Sequence, residues 1–260
     1  GAAISVLAKE LDADFAVVNM GTFSSVADAP GLHQKPLMSG TDDFSLGPAM
    51  PMAVVVQALT AGRNEIESLD CELFVGGEMG IGNTTSAAAI VSAIADQPAE
   101  KTVGRGTGID DEAWIKKVTI VASALEKHRQ SLDDPLTLLS AIGGLEIAAL
   151  CGAYIKCAQR GIPILLDGFI TTAAALVACQ VNPGVQGWLI ASHLSVEQGH
   201  SIALQHLGLE ALLALNLRLG EGSGAAVAVP LIQSALTLHC NMATFTEAGV
   251  AAASAAESES

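Results

Sequence analysis

The chain has 260 residues, 50% of them hydrophobic and 15% charged, which excludes a disordered or fibrous protein and predicts one compact α/β domain. With 12 basic against 27 acidic residues the net charge is −15, and that excludes nucleic-acid and anionic-membrane partners, which need a basic surface. Aromatic residues make up only 3%, so the core is built from Ala, Val, Leu and Ile.

In chain order, residues 1–11 read as a helix and 14–20 as a short buried strand. Residues 21–51, rich in Gly, Pro, Ser and Asp, lack a sustained period and read as a long ordered loop. A helical pattern follows over 52–69, a strand over 71–75, then a glycine-rich turn over 76–85 and an Ala-rich helix through 95. Acidic residues open a helix over 111–127, where they suit the positive end of its dipole. Asp134-Pro135 starts another helix, which Gly143-Gly144 ends. Residues 145–160 are helical, 161–166 strand, 170–179 helix, 188–191 strand, and 198–207 and 224–241 helical. The residues 251–260 read as a flexible tail after a single domain over 1–250. Short apolar strands separated by helices predict an α/β fold, a mostly parallel central sheet covered on both faces.

The mean hydropathy of +0.47 raises the question of membrane spans. The best apolar stretch, 162–181, is interrupted by Asp167, Gly168, Thr171 and Thr172, which suits a buried strand and helix better than a bilayer. No basic segment precedes an apolar one as in a secretion signal. The five cysteines are odd in number and scattered, which predicts buried thiols in the cytoplasm rather than disulfides or metal ligands.

In a parallel sheet, ligands bind beyond the carboxyl ends of the strands. The turn from Gly76 to Thr85, GGEMGIGNTT, puts glycines and a helix start where backbone N–H groups can meet an anion. It is neither a Walker A loop, since Asn83 stands where that loop needs Lys, nor a GxGxxG fingerprint. The GRGTG loop at 104–108 offers a second such turn, and SHLS at 192–195 offers hydroxyl donors. His193 lacks a nucleophile elbow, so no hydrolase triad is assigned. Glu78, Asp167 and Glu221 each stand on a presumptive crevice loop beside glycine or apolar residues. Partial burial there raises a carboxylate's pKa and suits it to act as a base, while the plain alternative is a cap on backbone N–H groups.

The segments GEMGIGNTTSAAAI (77–90), GRGTGIDDE (104–112), GGLEIAALCGAYI (143–155), PILLDGFITTAAALVA (163–178), SHLSVEQGH (192–200), LGLEALLALNLRLGEGSGAA (207–226) and MATFTEAGV (242–250) occur in one register. In that order they resemble the nicotinate-nucleotide–dimethylbenzimidazole phosphoribosyltransferases of cobalamin biosynthesis. The resemblance implies a three-layer, Rossmann-like α/β/α fold with part of a small helical subdomain, and a homodimer with no metal or other cofactor. It implies transfer of the phosphoribosyl group of nicotinate mononucleotide to 5,6-dimethylbenzimidazole, giving α-ribazole 5′-phosphate and nicotinate. The alternative is a shortened, non-catalytic nucleotide-binding relative. Glu221 resembles the family's general base and Glu78 its supporting carboxylate. Gly80, Ile81, Gly82, Asn83, Thr84, Gly106, Thr107, Asp167, Ser195 and Gly220 resemble its substrate-binding residues. The resemblance further implies that the family's N-terminal portion, part of the benzimidazole pocket, is missing before Gly1, and Asn19 stands where the family usually has Asp.

Overall fold

The computed structural model describes residues 1–105 and 110–249. The chain divides into two compact units, the first ending at Val227 and the second starting at Ala228. The first opens with α1 (Ala3–Glu10), β1 (Val17–Asn19) and β2 (Leu32–Gln34), followed by α2 (Met52–Glu67), β3 (Phe74–Gly76), α3 (Asn83–Ile94), α4 (Ala99–Thr102) and α5 (Asp111–Lys127). It continues through α6 (Pro135–Ile142), α7 (Leu145–Arg160), β4 (Ile164–Leu166), α8 (Phe169–Val181), β5 (Leu189–Ala191), β6 (His193–Ser195), α9 (Gln198–Leu207), β7 (Leu213–Leu217) and the start of α10 (Ser223–Asn241).

The central strand β4 pairs in parallel with β3 on one side and β5 on the other, Ile164 facing Phe74 and Leu189. Ile164, Leu165 and Leu166 are all fully buried although successive side chains point to opposite faces. Both faces are therefore covered, which gives the three-layer α/β/α arrangement expected from the strand pattern. The run 189–195 changes neighbour at Ser192. Its N–H donates to the Leu166 carbonyl (3.1 Å), while its own carbonyl accepts from Leu213 N (3.0 Å). Beyond it β6 pairs in parallel with β7, a two-stranded sheet that these backbone hydrogen bonds join to the three-stranded β3-β4-β5.

Local chemistry explains several boundaries. Asp110 caps α5 by accepting from Ala113 N (2.8 Å), and Asp134 caps α6 by accepting from Leu136 N and Thr137 N (3.1 and 2.9 Å) ahead of Pro135. Helix α7 ends at Gly161, whose φ of 74° is the left-handed stop that glycine adopts without strain. Helices α2 and α7 touch backbone to backbone at two places. A Cβ on Gly62 would overlap the Ala149 carbonyl, and a Cβ on Gly152 would overlap the Leu59 carbonyl.

Three expectations are corrected. The stretch 21–51 contains β2, which pairs in parallel with β1, Val17 opposite Leu32. Asn19 helps join them, donating from Nδ2 to Gln34 Oε1 (2.7 Å) and accepting from Gly21 N at Oδ1 (3.0 Å). Most of the SHLS segment, read as a polar stretch after a strand, is itself strand β6 (His193–Ser195), and β7 occupies a stretch for which no element was predicted. The apolar stretch 162–181 is indeed strand and helix, β4 and α8. Among the described residues one helix, Ser223–Asn241, is long and apolar enough to cross a membrane by length and composition, and it carries Pro230 in its interior.

In the second unit the remainder of α10 is followed by a turn in which Thr244 and Glu247 cap each other. Thr244 N donates to Glu247 Oε2 (2.8 Å) and Glu247 N to Thr244 Oγ1 (3.3 Å). The tail expected over 251–260 lies outside the described residues.

Candidate active site

The carboxyl ends of β3, β4, β6 and β7 bring the predicted residues to one edge of the sheet. After β3, Gly77 and Glu78 lead through Gly80, Ile81 and Gly82 into α3, which begins at Asn83. Gly82 has φ of 88°, a conformation that costs a side chain strain and admits glycine freely. Ile81 holds its side chain fully in solvent. Asn83 donates from Nδ2 to Glu78 Oε2, in a short hydrogen bond. Burial pushes the Glu78 carboxyl up to about 7, the Asn83 bond opposes the shift, and the negative charges of Glu146, Asp167 and Glu221 add to it. The raised carboxylate expected of this site is therefore found at Glu78. Glu146, in the first turn of α7, is also pushed upward by burial.

A cation stands at the start of α3. Lys117 of α5 donates from Nζ to Thr84 Oγ1 at 2.8 Å. Burial lowers its pKa and the Glu197 carboxylate pulls it back up. Lys117 therefore brings positive charge to a helix N-terminus whose N–H groups also favour an anion.

Between β7 and α10 the chain makes a turn of three consecutive residues with positive φ: Gly220 (79°), Glu221 (64°) and Gly222 (88°). Glu221 is the strained member, since a residue with a Cβ loses roughly 1–2 kcal/mol in this region. Its Oε2 atom is buried and makes no hydrogen bond among the described residues. The turn lies against the β3 loop. A Cβ built on Gly77 would overlap the Glu221 carbonyl, and one on Gly220 would come 3.6 Å from Glu78 Oε1. Glu78 and Glu221 thus belong to one crevice.

Asp167, at the end of β4, is buried to 2% exposure. Its Oδ2 accepts from Gly222 N (3.1 Å) and its Oδ1 from Ala225 N (2.9 Å), across 55 and 58 residues of chain. Both of its oxygens are therefore engaged by the backbone of the Glu221 turn and the first turn of α10. His193 Nδ1 lies 4.0 Å from Asp167 Oδ1 and shares a 2.9 Å hydrogen bond with Ser192 Oγ.

Ser195 ends β6 and is paired with Leu217, three residues before Gly220. Its N–H donates to His200 Nδ1 (2.9 Å), which leaves Nε2 of that ring to carry the proton and donate to Thr172 Oγ1 (3.0 Å); Thr172 in turn donates to the Gly168 carbonyl (2.8 Å). Burial, followed by the neighbouring His193, drives the His200 pKa down to about 3, so the ring is a fixed neutral linker. The Ser195 Oγ accepts from Glu197 N at 3.3 Å.

Glu78, Gly80, Ile81, Gly82, Asp167, Gly220 and Glu221 stand on the loops at these strand ends, Asn83 and Thr84 in the first turn of α3, and Ser195 at the end of β6 itself. Gly106 and Thr107 lie outside the described residues. Sequence reasoning missed Lys117, Glu146 and His200. The first two read as ordinary charges on helix surfaces, and no local pattern signals that the fold turns them inward. The described residues contain no group of three or more His, Cys, Asp or Glu side chains able to hold a metal ion.

The parallel sheet of a three-layer fold carries paired carboxylates and glycine turns at its carboxyl edge, and the family model described as a phosphoribosyltransferase matches residues 1–250, which gives the class. Curated relatives include the nicotinate-nucleotide–dimethylbenzimidazole phosphoribosyltransferases of Azotobacter vinelandii, 49% identical over 255 residues, and of Xanthomonas axonopodis pv. citri, 51% identical over 253 residues. Each alignment covers 96% of this chain and 72% of the relative. A crystal structure of the Thermus thermophilus enzyme of that name superposes with a TM-score of 0.90 at 40% identity, covering 97% of this chain and 76% of that one. The chain belongs to the nicotinate-nucleotide–dimethylbenzimidazole phosphoribosyltransferase family.

Proposed function

We propose that this chain transfers the phosphoribosyl group of nicotinate mononucleotide to 5,6-dimethylbenzimidazole, releasing nicotinate and giving α-ribazole 5′-phosphate for the lower ligand of cobalamin. The observation that carries this reading is the meeting of Glu78 and Glu221 in one crevice beside the anion-favouring start of α3.

In the nucleotide the nicotinate ring nitrogen is bonded to C1′ and is cationic, so the C1′–N bond breaks with its electron pair returning to the ring and no acid is needed. The azole nitrogen forms the new bond to C1′, and its second nitrogen then loses a proton. Glu221 takes that proton, because its buried Oε2 has no donor to satisfy it. Glu78 has one oxygen engaged by Asn83 and the other beside Gly220; when ionised, it stabilises the positive charge that spreads over ribose and azole. The phosphate lies at the backbone of Gly80–Gly82 and the N-terminus of α3, with Lys117 as its counter-charge. This local arrangement is required because a net charge of −15 repels an anionic substrate at long range.

The resemblance also supports a homodimer, testable by light scattering of the eluting peak in size-exclusion chromatography. A cytoplasmic setting fits the five free cysteines, of which Cys157 is pushed up to about 12 and Cys179 to about 11 by burial and so kept as thiols. The activity is tested by incubating the chain with both substrates and resolving nicotinate and α-ribazole 5′-phosphate by chromatography. Product from the wild type and its loss in Glu221→Gln are expected. Equal product from both proteins would remove Glu221 from the chemistry.

A further inference from the structure

The contacts of Asp167 assign it a different role from substrate binding. We infer that Asp167 is a positioning residue, which holds the Gly220–Gly222 turn in its left-handed form and so aims Glu221 into the crevice. This rests on the reading of Glu221 as the proton acceptor.

A carboxylate has two oxygens to offer, and here each is directed at a backbone N–H of the same turn. Oδ2 accepts from Gly222, the residue after Glu221, and Oδ1 from Ala225, in the first turn of α10. The pair spans the place where the chain leaves the left-handed turn and becomes helix. Two charge-assisted bonds from one rigid strand end fix that junction in both position and direction. The turn needs such an anchor, because Glu221 at φ of 64° is held in a conformation it would leave if released.

The same junction is gripped from a second side. A Cβ on Gly224 would overlap the His193 ring, coming only 2.9 Å from its Nε2, so the imidazole lies directly on the glycine. His193 Nδ1 also lies 4.0 Å from Asp167 Oδ1, while burial lowers the pKa of the ring and the Asp167 charge opposes that shift. Asp167, just after β4, and His193, at the start of β6, therefore seat the start of α10 between them, while Gly77 closes against the Glu221 carbonyl. The turn is over-determined by three elements of the sheet edge. A group at this depth with both oxygens already engaged has little left to offer a ligand.

The test compares wild type with Asp167→Asn, which keeps the shape but turns an amide N–H₂ toward a backbone N–H. A second variant, Gly224→Ala, disturbs the same junction without touching the carboxylate. Amide hydrogen exchange over the segment containing Gly222 and Ala225 is measured together with kcat and the KM for each substrate. Exchange in that segment is expected to rise at least ten-fold in both variants. Their kcat should fall at least ten-fold, while the KM for nicotinate mononucleotide changes less than about three-fold. A ten-fold rise in that KM in Asp167→Asn, with exchange and kcat unchanged, would make Asp167 a substrate contact and overturn the inference. Unchanged exchange in a folded Asp167→Asn would overturn it as well, as would raised exchange with undiminished kcat. Should the wild type show no turnover, the proposed activity fails, and the exchange comparison still decides whether Asp167 holds the turn.

Discussion

Gly77 and Glu221 meet through their main chains. A Cβ on Gly77 would lie 2.6 Å from the carbonyl carbon of Glu221 and overlap its oxygen, so the two loops that carry the site's carboxylates are seated on each other at a point where no side chain fits. The obstacle is backbone, which cannot swing aside like a long side chain. Gly77→Ala is expected to cost about 1–3 kcal/mol of stability and to lower kcat more than ten-fold, read from denaturant melts and initial rates. Wild-type rates in a destabilised Gly77→Ala would show that the seating does not govern the chemistry.

Glu221 is the non-glycine residue inside a left-handed run, flanked by Gly220 and Gly222. Glu221→Gly should therefore stabilise the fold by about 1 kcal/mol while lowering kcat on the order of 10²–10⁴-fold. Glu221→Gln should lose activity similarly without the gain in stability. Calorimetric melting of the two variants side by side separates strain from charge.

Glu78 makes a pH signature. With its pKa at about 7, it is protonated on the acid side of neutrality and cannot stabilise a cation there. We expect kcat to fall as pH drops below about 7, and this inflection to vanish in the residual activity of Glu78→Gln. The folded value lies above the ordinary 4.5, so the sign for stability is fixed. Below pH 4.5 the proton is bound in both folded and unfolded states. Between 4.5 and 7 the unfolded chain releases it first and stability falls; above 7 the penalty is constant. Glu78→Gln should accordingly be more stable than wild type at pH 8, by as much as about 3 kcal/mol. A wild type more stable at pH 8 than the variant would contradict the burial argument.

His200 works in the opposite direction on the pH axis. Its pKa is depressed from 6.5 to about 3, so its contribution to stability is present above 6.5 and lost as pH falls toward 3. At pH 5 the loss is about 2 kcal/mol. In urea melts at pH 7 and pH 5, His200→Asn should lose less stability between the two than wild type does.

The long helices were legible because their apolar spacing and their stops are local. Residues 145–160 run from one glycine to another, and 111–127 opens on an acidic cap. The strands β2 and β7 were not. Leu32–Gln34 is three residues with no alternation to read, and its place is set by pairing with β1. Leu213–Leu217 is leucine-rich, half exposed and interrupted by Asn216 at φ of 54°, so its strand character comes from β6 alongside it. In the site, Glu78 and Asp167 could be found from their positions after strands, and Glu221 from its place between glycines ahead of the last long helix. What each carboxylate touches could not. The partners of Asp167 are amides 55 and 58 residues away, and Glu146 comes beside Gly80 and Glu78 through a packing arrangement no local pattern encodes.

The glycine contacts between α2 and α7 have a consequence for how this protein tolerates change. Gly62 sits on the Ala149 carbonyl while Gly152 sits on that of Leu59, so each helix supplies the notch for the other's main chain. Such a pair has a single permitted alignment: a one-residue deletion between Leu59 and Gly62, or between Ala149 and Gly152, would bring a residue with a side chain onto one of the two carbonyls. Length variation in homologous chains should accordingly collect in the connecting segments, and spare the interval between the notch and the seated carbonyl on each rod, 59–62 and 149–152.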